Sequence, residues 1–247
     1  MSAFFALFRK ELFTLGISPF IYVLLAVWFL LNALLFNISI DTQYIQADLS
    51  LLPSYLFGSG MLVWLLLPIF PPLVCLRMFA EEHRVSTLEP LLTAPITDIA
   101  VVFAKYLAAC LFFLIFWGGL LFFFFLLEMH GATLDWARIV GGFVGSCLLS
   151  FLFIATSLFA SSWGGNLVLA AGGGAAINYC MLFVPALFQY EDSWLGEISR
   201  NCHLPNLISN GFAAALIDSY AVLYLVLLSA LFLFLTYLRL VSRRWIP

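Results

Sequence analysis

The side chains that could carry out chemistry in this chain are few and widely spaced. Its three histidines, His83, His130 and His203, lie far apart, and the chain has neither the HExxH pattern of zinc hydrolases nor the GxSxG pattern of serine hydrolases. It also has no GxxxxGK[ST] loop, so the usual phosphate cradle for ATP is missing. Its five cysteines form no CxxC pair. We therefore expect no catalytic residue, no metal site and no cofactor in this chain.

Ionisable residues do concentrate in one stretch, RMFAEEHRVSTLEPLLTAPIT, which runs from Arg77 to Thr97. Within it, Ser86–Glu89 matches the S/T-x-x-E capping box, in which the Ser caps the first turn and the Glu reaches back to the backbone N–H of the Ser. Pro95 should end the helix near Thr93. The pattern predicts a short, rigid, capped helix to which another protein can bind. The alternative is that the charges serve only topology and solubility.

The rest of the chain is too apolar for a water-soluble protein. Of its 247 residues, 64% are hydrophobic and only 9% are charged, with a mean hydropathy of +1.10. Globular domains usually carry about 25% charged residues. The chain therefore belongs in a lipid bilayer, and its formal charge of -3 and lack of a basic–aromatic patch give no sign of nucleic-acid binding.

We predict an all-α membrane protein made of a single transmembrane domain, residues 1–247. A membrane-crossing helix needs about 20 apolar residues, and six segments meet this requirement. The predicted spans are about 19–40, 55–78, 99–127, 137–160, 166–189 and 220–240. Charges within the span cores would indicate an ion path, and the hydropathy pattern predicts none.

Residues 2–16 precede the first span and read as an amphipathic helix at the membrane interface. Phenylalanines and leucines recur there at helical spacing, with Arg9, Lys10 and Glu11 between them. The alternative is a frayed extension of the first span. Near the other end, residues 189–218 predict short outer helices, with Trp194 as an interfacial anchor and Asp218 as the N-cap of the sixth span.

The distribution of basic residues predicts the orientation, because short cytoplasmic loops are rich in Lys and Arg. With six spans, both termini and the 79–97 loop share one side, which we assign to the cytoplasm. Eight of the ten basic residues fall on that side: Arg9, Lys10, Arg77, Arg84, Lys105, Arg239, Arg243 and Arg244.

Small and polar residues mark the fourth and fifth spans. Gly141 and Gly145 form a GxxxG, and Gly172–Gly174 removes side-chain bulk from the fifth span. Such residues let helices approach closely, either within one bundle or between subunits. Asn32 and Asn178 could line a path or simply bond to neighbouring helices.

Two stretches resemble a known family. The stretch CLRMFAEEHRVSTLEPLLTAPITDIAVVFAKYLAA (Cys75–Ala109) is similar to the cytoplasmic loop of ABC type-2 permeases, and is closest to the gliding-motility-associated subfamily. The order Ala-Glu-Glu, Ser-Thr-Leu-Glu, Leu-Leu-Thr-x-Pro and a Lys before the third span carries the likeness. Ala215–Trp245 resembles the same subfamily in its Leu-Ile-Asp start and Arg-Arg-Trp finish. Pro90 and Tyr220-Ala221 depart from the subfamily pattern.

The resemblance implies a fold of six spans, an N-terminal interfacial helix, a cytoplasmic coupling helix between spans 2 and 3, and short outer helices before span 6. It implies a bacterial inner-membrane permease, most simply an exporter, that works as a pair with a second copy or a paralogous permease. Two separate ATPase subunits would bind ATP and Mg, and an accessory protein with a large outer domain could join them. The residues that would form or support the ATPase contact are Glu81, Glu82, Ser86, Thr87, Leu88, Glu89, Leu92 and Thr93.

Two alternatives remain at this point. One is a six-helix channel or carrier that uses no ATPase. The other is a membrane anchor that passes ATPase motion to an outer partner without moving a solute. The sequence identifies neither the transported substrate nor the choice between homodimer and heterodimer.

Overall fold

A computed structural model describes residues 3–46, 52–84, 97–190 and 193–243. Nearly all of these residues are helical, and no strand occurs among them. The helices are α1 Ala3–Ile17, α2 Pro19–Gln46, α3 Leu52–Ser54, α4 Met61–Leu66, α5 Phe70–Cys75, α6 Ala80–Arg84, α7 Asp98–Met129, α8 Trp136–Ser161, α9 Leu167–Phe188, α10 Trp194–Cys202, α11 Leu204–Asn206 and α12 Ser219–Arg243. Two π-helical turns, Tyr55–Ser59 and Leu207–Gly211, and a 3₁₀ turn, Phe212–Ala214, lie between them.

Five of the helices in the described part of the chain are long and apolar enough to cross a membrane. They are α2, α7, α8, α9 and α12, and their bounds follow the predicted first, third, fourth, fifth and sixth spans. The multi-pass, all-helical character expected from the composition is therefore confirmed.

The prediction of one continuous second span over residues 55–78 was wrong. This segment consists of a π-helical turn and the short helices α4 and α5, with non-helical turns before and after α5. Gly60 precedes α4 in an extended conformation. Prolines at positions 68, 71 and 72 carry no N–H and interrupt the regular hydrogen-bond ladder. The count of six spans stays a prediction.

Helix α8 forms the centre of the bundle. In its membrane-crossing window 72% of the residues are buried inside the protein, compared with 22–39% for the other four long helices. It packs against α7, α9, α12 and α5. The other long helices therefore present much of their surface outward, as expected for helices that contact lipid.

The glycines of α8 bring the segment before α12 close to its backbone. A Cβ atom added to Gly141 would lie 2.2 Å from the carbonyl oxygen of Phe212, and one added to Gly145 would lie 2.6 Å from the Phe212 side chain. The GxxxG thus packs against this chain's own 3₁₀ turn. Just beyond, Asp218 accepts a hydrogen bond from the backbone N–H of Tyr220 at 3.0 Å, which confirms its predicted capping role.

Candidate functional site

Six of the residues predicted to contact an ATPase lie outside the described residues. They are Ser86, Thr87, Leu88, Glu89, Leu92 and Thr93. We call residues 85–96 the linker. The structure describes the helices that flank it. Helix α6, with Glu81 and Glu82, precedes the linker, and α7 follows it. The Thr97 hydroxyl caps α7 by accepting a hydrogen bond from the Ala100 N–H at 3.4 Å.

Four charged side chains meet where both ends of the linker join the bundle, and we call them the charge cluster: Lys10, Glu11, Glu82 and Lys105. The Nζ atom of Lys105 lies 3.0 Å from Oε1 of Glu11 and 2.8 Å from Oε2 of Glu82. The Nζ atom of Lys10 lies 2.9 Å from Oε1 of Glu82 and 3.4 Å from Oε1 of Glu11. The cluster therefore ties α1, α6 and α7 together.

The members of the cluster differ sharply in exposure. The Lys105 side chain is 0% exposed and that of Glu11 is 6% exposed, whereas that of Lys10 is 54% exposed. The Lys105 ammonium also lies 5.1 Å from the centre of the Phe79 ring, a distance typical of cation–π contacts. A buried ammonium requires such partners, because an unpaired charge in a protein interior is costly.

Electrostatics within the cluster favour the charged form of Lys10. Partial burial alone would lower the pKa of Lys10, but the carboxylates of Glu82 and Glu11 outweigh that effect and raise it above 10.5. The two lysines and two glutamates carry no net charge together, so the cluster can be enclosed without a surplus charge.

Helix α1 places Glu11 on the side that faces the bundle. Leu7, Glu11 and Leu15 recur every four residues and all three are buried, while Phe5 and Phe13 are exposed. Of the three charged residues predicted to lie between the apolar residues of this helix, Glu11 is buried opposite Lys105, whereas Arg9 and Lys10 are exposed.

A second set of polar contacts holds the end of the second span against the start of α2. The Arg77 guanidinium donates a hydrogen bond to the Ser18 hydroxyl at 2.6 Å and lies 3.5 Å from the Glu81 carboxylate. It also lies 5.4 Å from the centre of the Phe20 ring. Both acidic residues of α6 are thus engaged by basic groups of this chain, Glu81 on one side of α6 and Glu82 on the other.

Asn178 joins α9 to the broken second span. Its side-chain amide donates to the Pro68 carbonyl at 3.0 Å. That carbonyl has no partner in a helical ladder, because the residue four positions on is Pro72, which lacks an N–H. The adjacent Tyr179 hydroxyl donates to the Leu65 carbonyl. Asn32 instead donates to the Trp28 carbonyl within its own helix at 2.8 Å.

Ser161 of α8 connects α5 to α6, at the end of the second span that lies nearer the linker. Its hydroxyl donates to the Cys75 carbonyl at 3.1 Å and accepts from the Ala80 N–H at 3.1 Å. These two bonds cross the turn between α5 and α6, where ladder bonds are interrupted. The orientation of α6, and with it one end of the linker, therefore depends on α8.

The glycines of α9 have different surroundings. A Cβ on Gly173 would lie 3.2 Å from the Trp163 ring, and one on Gly174 would lie 3.2 Å from Pro72. A Cβ on Gly172 would meet no heavy atom within 4 Å. Gly174 thus supports packing against the second span, whereas Gly172 lies at an open surface.

Taken together, these contacts form a mechanical connection from the linker into the bundle. The described residues contain no group of three or more His, Cys, Asp or Glu side chains placed to hold a metal ion. The Lys105–Glu11 contact, whose partners are 94 positions apart, was not predicted from the sequence. A lysine within an apolar helix was the available signal, because such a residue needs a partner.

Comparison with known protein families matches residues 7–169 to a model described as "ABC-2 family transporter protein". No curated protein matches the chain. The matched range includes most of α1 and all of the broken second span, the linker and α8, so it contains every member of the charge cluster.

Proposed function

This chain belongs to the ABC-2 transporter family, and from that membership we propose that it is the permease subunit of an ATP-driven exporter. A separate cytoplasmic ATPase would dock on residues 79–97 and bind the ATP and Mg. Two ATPase copies would serve a pair of permeases, made of two copies of this chain or of this chain and a paralogue. An accessory protein with a large outer domain could complete the complex.

The observation that carries this proposal is the charge cluster. It joins both ends of the linker to α1, because Glu82 precedes the linker, Lys105 follows it and Glu11 contacts Lys105 at 3.0 Å. A displacement of the linker would therefore move α6, α7 and α1 as one unit. A docking segment without such connections would bend locally and would transmit little of its displacement to the membrane-crossing helices.

In the proposed cycle, ATP binding brings the two ATPases together, and this motion displaces the linkers that are bound to them. The charge cluster passes this displacement to α7 and α1, and Ser161 passes it to α8. Packed helices switch between discrete arrangements rather than deform continuously, so the motion would be a two-state transition of the bundle.

The location follows from the same reasoning. We place the permease in a bacterial inner membrane with both termini and the linker in the cytoplasm, because eight of its ten basic residues fall on that side of six predicted crossings. In this arrangement the broken second span counts as one crossing. Within the family, the motifs of Cys75–Ala109 and Ala215–Trp245 favour the gliding-motility-associated subfamily.

The docking proposal is tested by changing the linker alone. Glu89→Lys combined with Leu92→Asp should abolish co-purification of an ATP-binding cassette subunit with the tagged permease, because it reverses one charge and removes one apolar contact. The measurements are mass-spectrometric identification of the subunit and ATP hydrolysis by the purified complex. Membrane insertion of the variant is checked by its recovery in the membrane fraction.

A matched control carries the same two types of substitution on the predicted outer side. Leu195→Asp combined with Glu197→Lys alters α10, where both side chains are exposed, and should leave the ATPase association unchanged. Retained association in the linker variant would refute docking at this site. Substrate-stimulated hydrolysis would distinguish an exporter from an anchor that only transmits motion.

A further inference from the structure

A groove of about 560 Å³ lies between the start of α2, the end of the second span and the start of α9. One side is polar and contains Arg77, Glu81 and Arg84, whereas the other sides are apolar. We call it the arginine groove. All four residues of the charge cluster lie outside its lining.

The polar side carries a surplus of positive charge. Arg77 is fixed in place by the Ser18 hydroxyl, the Glu81 carboxylate and the Phe20 ring. Its side chain is still 38% exposed. Arg84 is exposed and has no ion pair among the described residues. Two guanidinium groups against one carboxylate favour an anion, and guanidinium groups bind phosphate oxygens well.

The apolar side is one face of α9. Val168, Ala171 and Gly172 follow helical spacing along it. The Val168 side chain is 79% exposed, and a Cβ on Gly172 would meet no heavy atom within 4 Å. This face therefore leaves a shallow apolar channel that begins at the arginines and runs along a membrane-crossing helix.

We propose that the arginine groove binds an anionic phospholipid of the inner leaflet. The phosphate would lie against Arg77 and Arg84, and one acyl chain would lie along Val168 and Gly172. Charge complementarity and the division into a basic end and an apolar end support this occupant. So does the position, because the groove lies where α2 and α9 begin, on the side of the bundle predicted to be cytoplasmic, where headgroups of that leaflet lie.

The proposal is tested with the full-length permease, purified with its ATPase and reconstituted into nanodiscs. The probe is phosphatidylglycerol with a photoactivatable diazirine in one acyl chain, and phosphatidylcholine with the same chain is the zwitterionic comparison. We expect phosphatidylglycerol to label the 167–172 peptide more strongly than phosphatidylcholine. Removing either arginine, by Arg77→Gln or Arg84→Gln, should lower that labelling about fivefold.

Gly172→Leu should also abolish the labelling, because the added side chain would occupy the channel, and its Cβ would meet no heavy atom within 4 Å. The matched control is Gly118→Leu on α7, where a Cβ also meets no heavy atom within 4 Å. This control should leave the labelling unchanged. Equal labelling by both lipids would overturn the proposal in favour of unspecific lipid contact. No labelling by either lipid would overturn it in favour of a groove covered by protein.

Discussion

Replacing Lys105 by Met should destabilise the protein far more than replacing Lys10 by Met. Each contact of the Lys105 ammonium, at 2.8 and 3.0 Å, has a Coulomb attraction of about 5–6 kcal/mol at an effective dielectric constant of about 20. Desolvation of the three groups offsets most of this attraction, but removing one partner leaves a buried negative charge. Breaking a buried pair in this way costs about 3–5 kcal/mol, which corresponds to a decrease in Tm of roughly 6–20 °C for a chain of this size.

Lys10→Met provides the matched control, because Lys10 contacts the same two carboxylates but is 54% exposed. Exposed ion pairs contribute only about 0–1 kcal/mol. Adding Glu11→Gln to Lys105→Met restores a neutral cluster and should recover much of the loss. Tm is measured by fluorescence-detected size-exclusion chromatography after heating. An equal loss of stability in both lysine variants, or a further loss when Glu11→Gln is added, would refute the stabilising role of the buried Lys105 contacts.

Three further predictions concern packing and protonation. Asn178→Leu removes the donor from a carbonyl of the broken second span and should cost about 1–3 kcal/mol, seen as a lower Tm; an unchanged Tm would contradict this role. Gly145→Ala places a methyl group against Phe212 and should cost about 1–3 kcal/mol, whereas Gly118→Ala, in open space, should be neutral. Burial lowers the pKa of His203 below 6.5, so the unfolded state binds the proton first and stability should fall as the pH drops below 6.5. His203→Gln should flatten this fall in Tm between pH 7 and pH 5, and an unaltered pH profile would argue against it.

Sequence patterns predicted the long helices well, because lipid imposes a simple length and composition requirement on them. The starts of α7 and α12 were also predictable, since the caps Thr97 and Asp218 act within a few residues of their own position. A helix cap depends on groups only two or three residues apart, so it can be recognised from the sequence alone.

The second span shows that hydropathy is insufficient to predict whether an apolar segment forms one continuous helix. Its composition is apolar throughout, so a length criterion treats it as one helix. The carbonyl of Pro68 accepts a hydrogen bond from the Asn178 side chain, which lies 110 positions away. Prolines become tolerable once such distant donors exist, and hydropathy contains no information about them.

The candidate site was predicted only in part. The family resemblance implied that Glu81 and Glu82 form or support the ATPase contact, and that role stays a prediction. Their ion pairs with basic groups of this chain were not predicted. The pairing of Glu11 with Lys105 depends on how α1 lies against α7, which follows from tertiary packing rather than from either local segment.

The broken second span has a consequence for biogenesis. Its Pro68 carbonyl would face hydrocarbon without a donor, at a cost of several kcal/mol, until Asn178 of α9 is available. Asn178 leaves the ribosome 110 positions later. Translocon-arrest intermediates that end before residue 178 should therefore hold this segment in a protected or incompletely inserted state, and the topology should mature only after α9 has emerged.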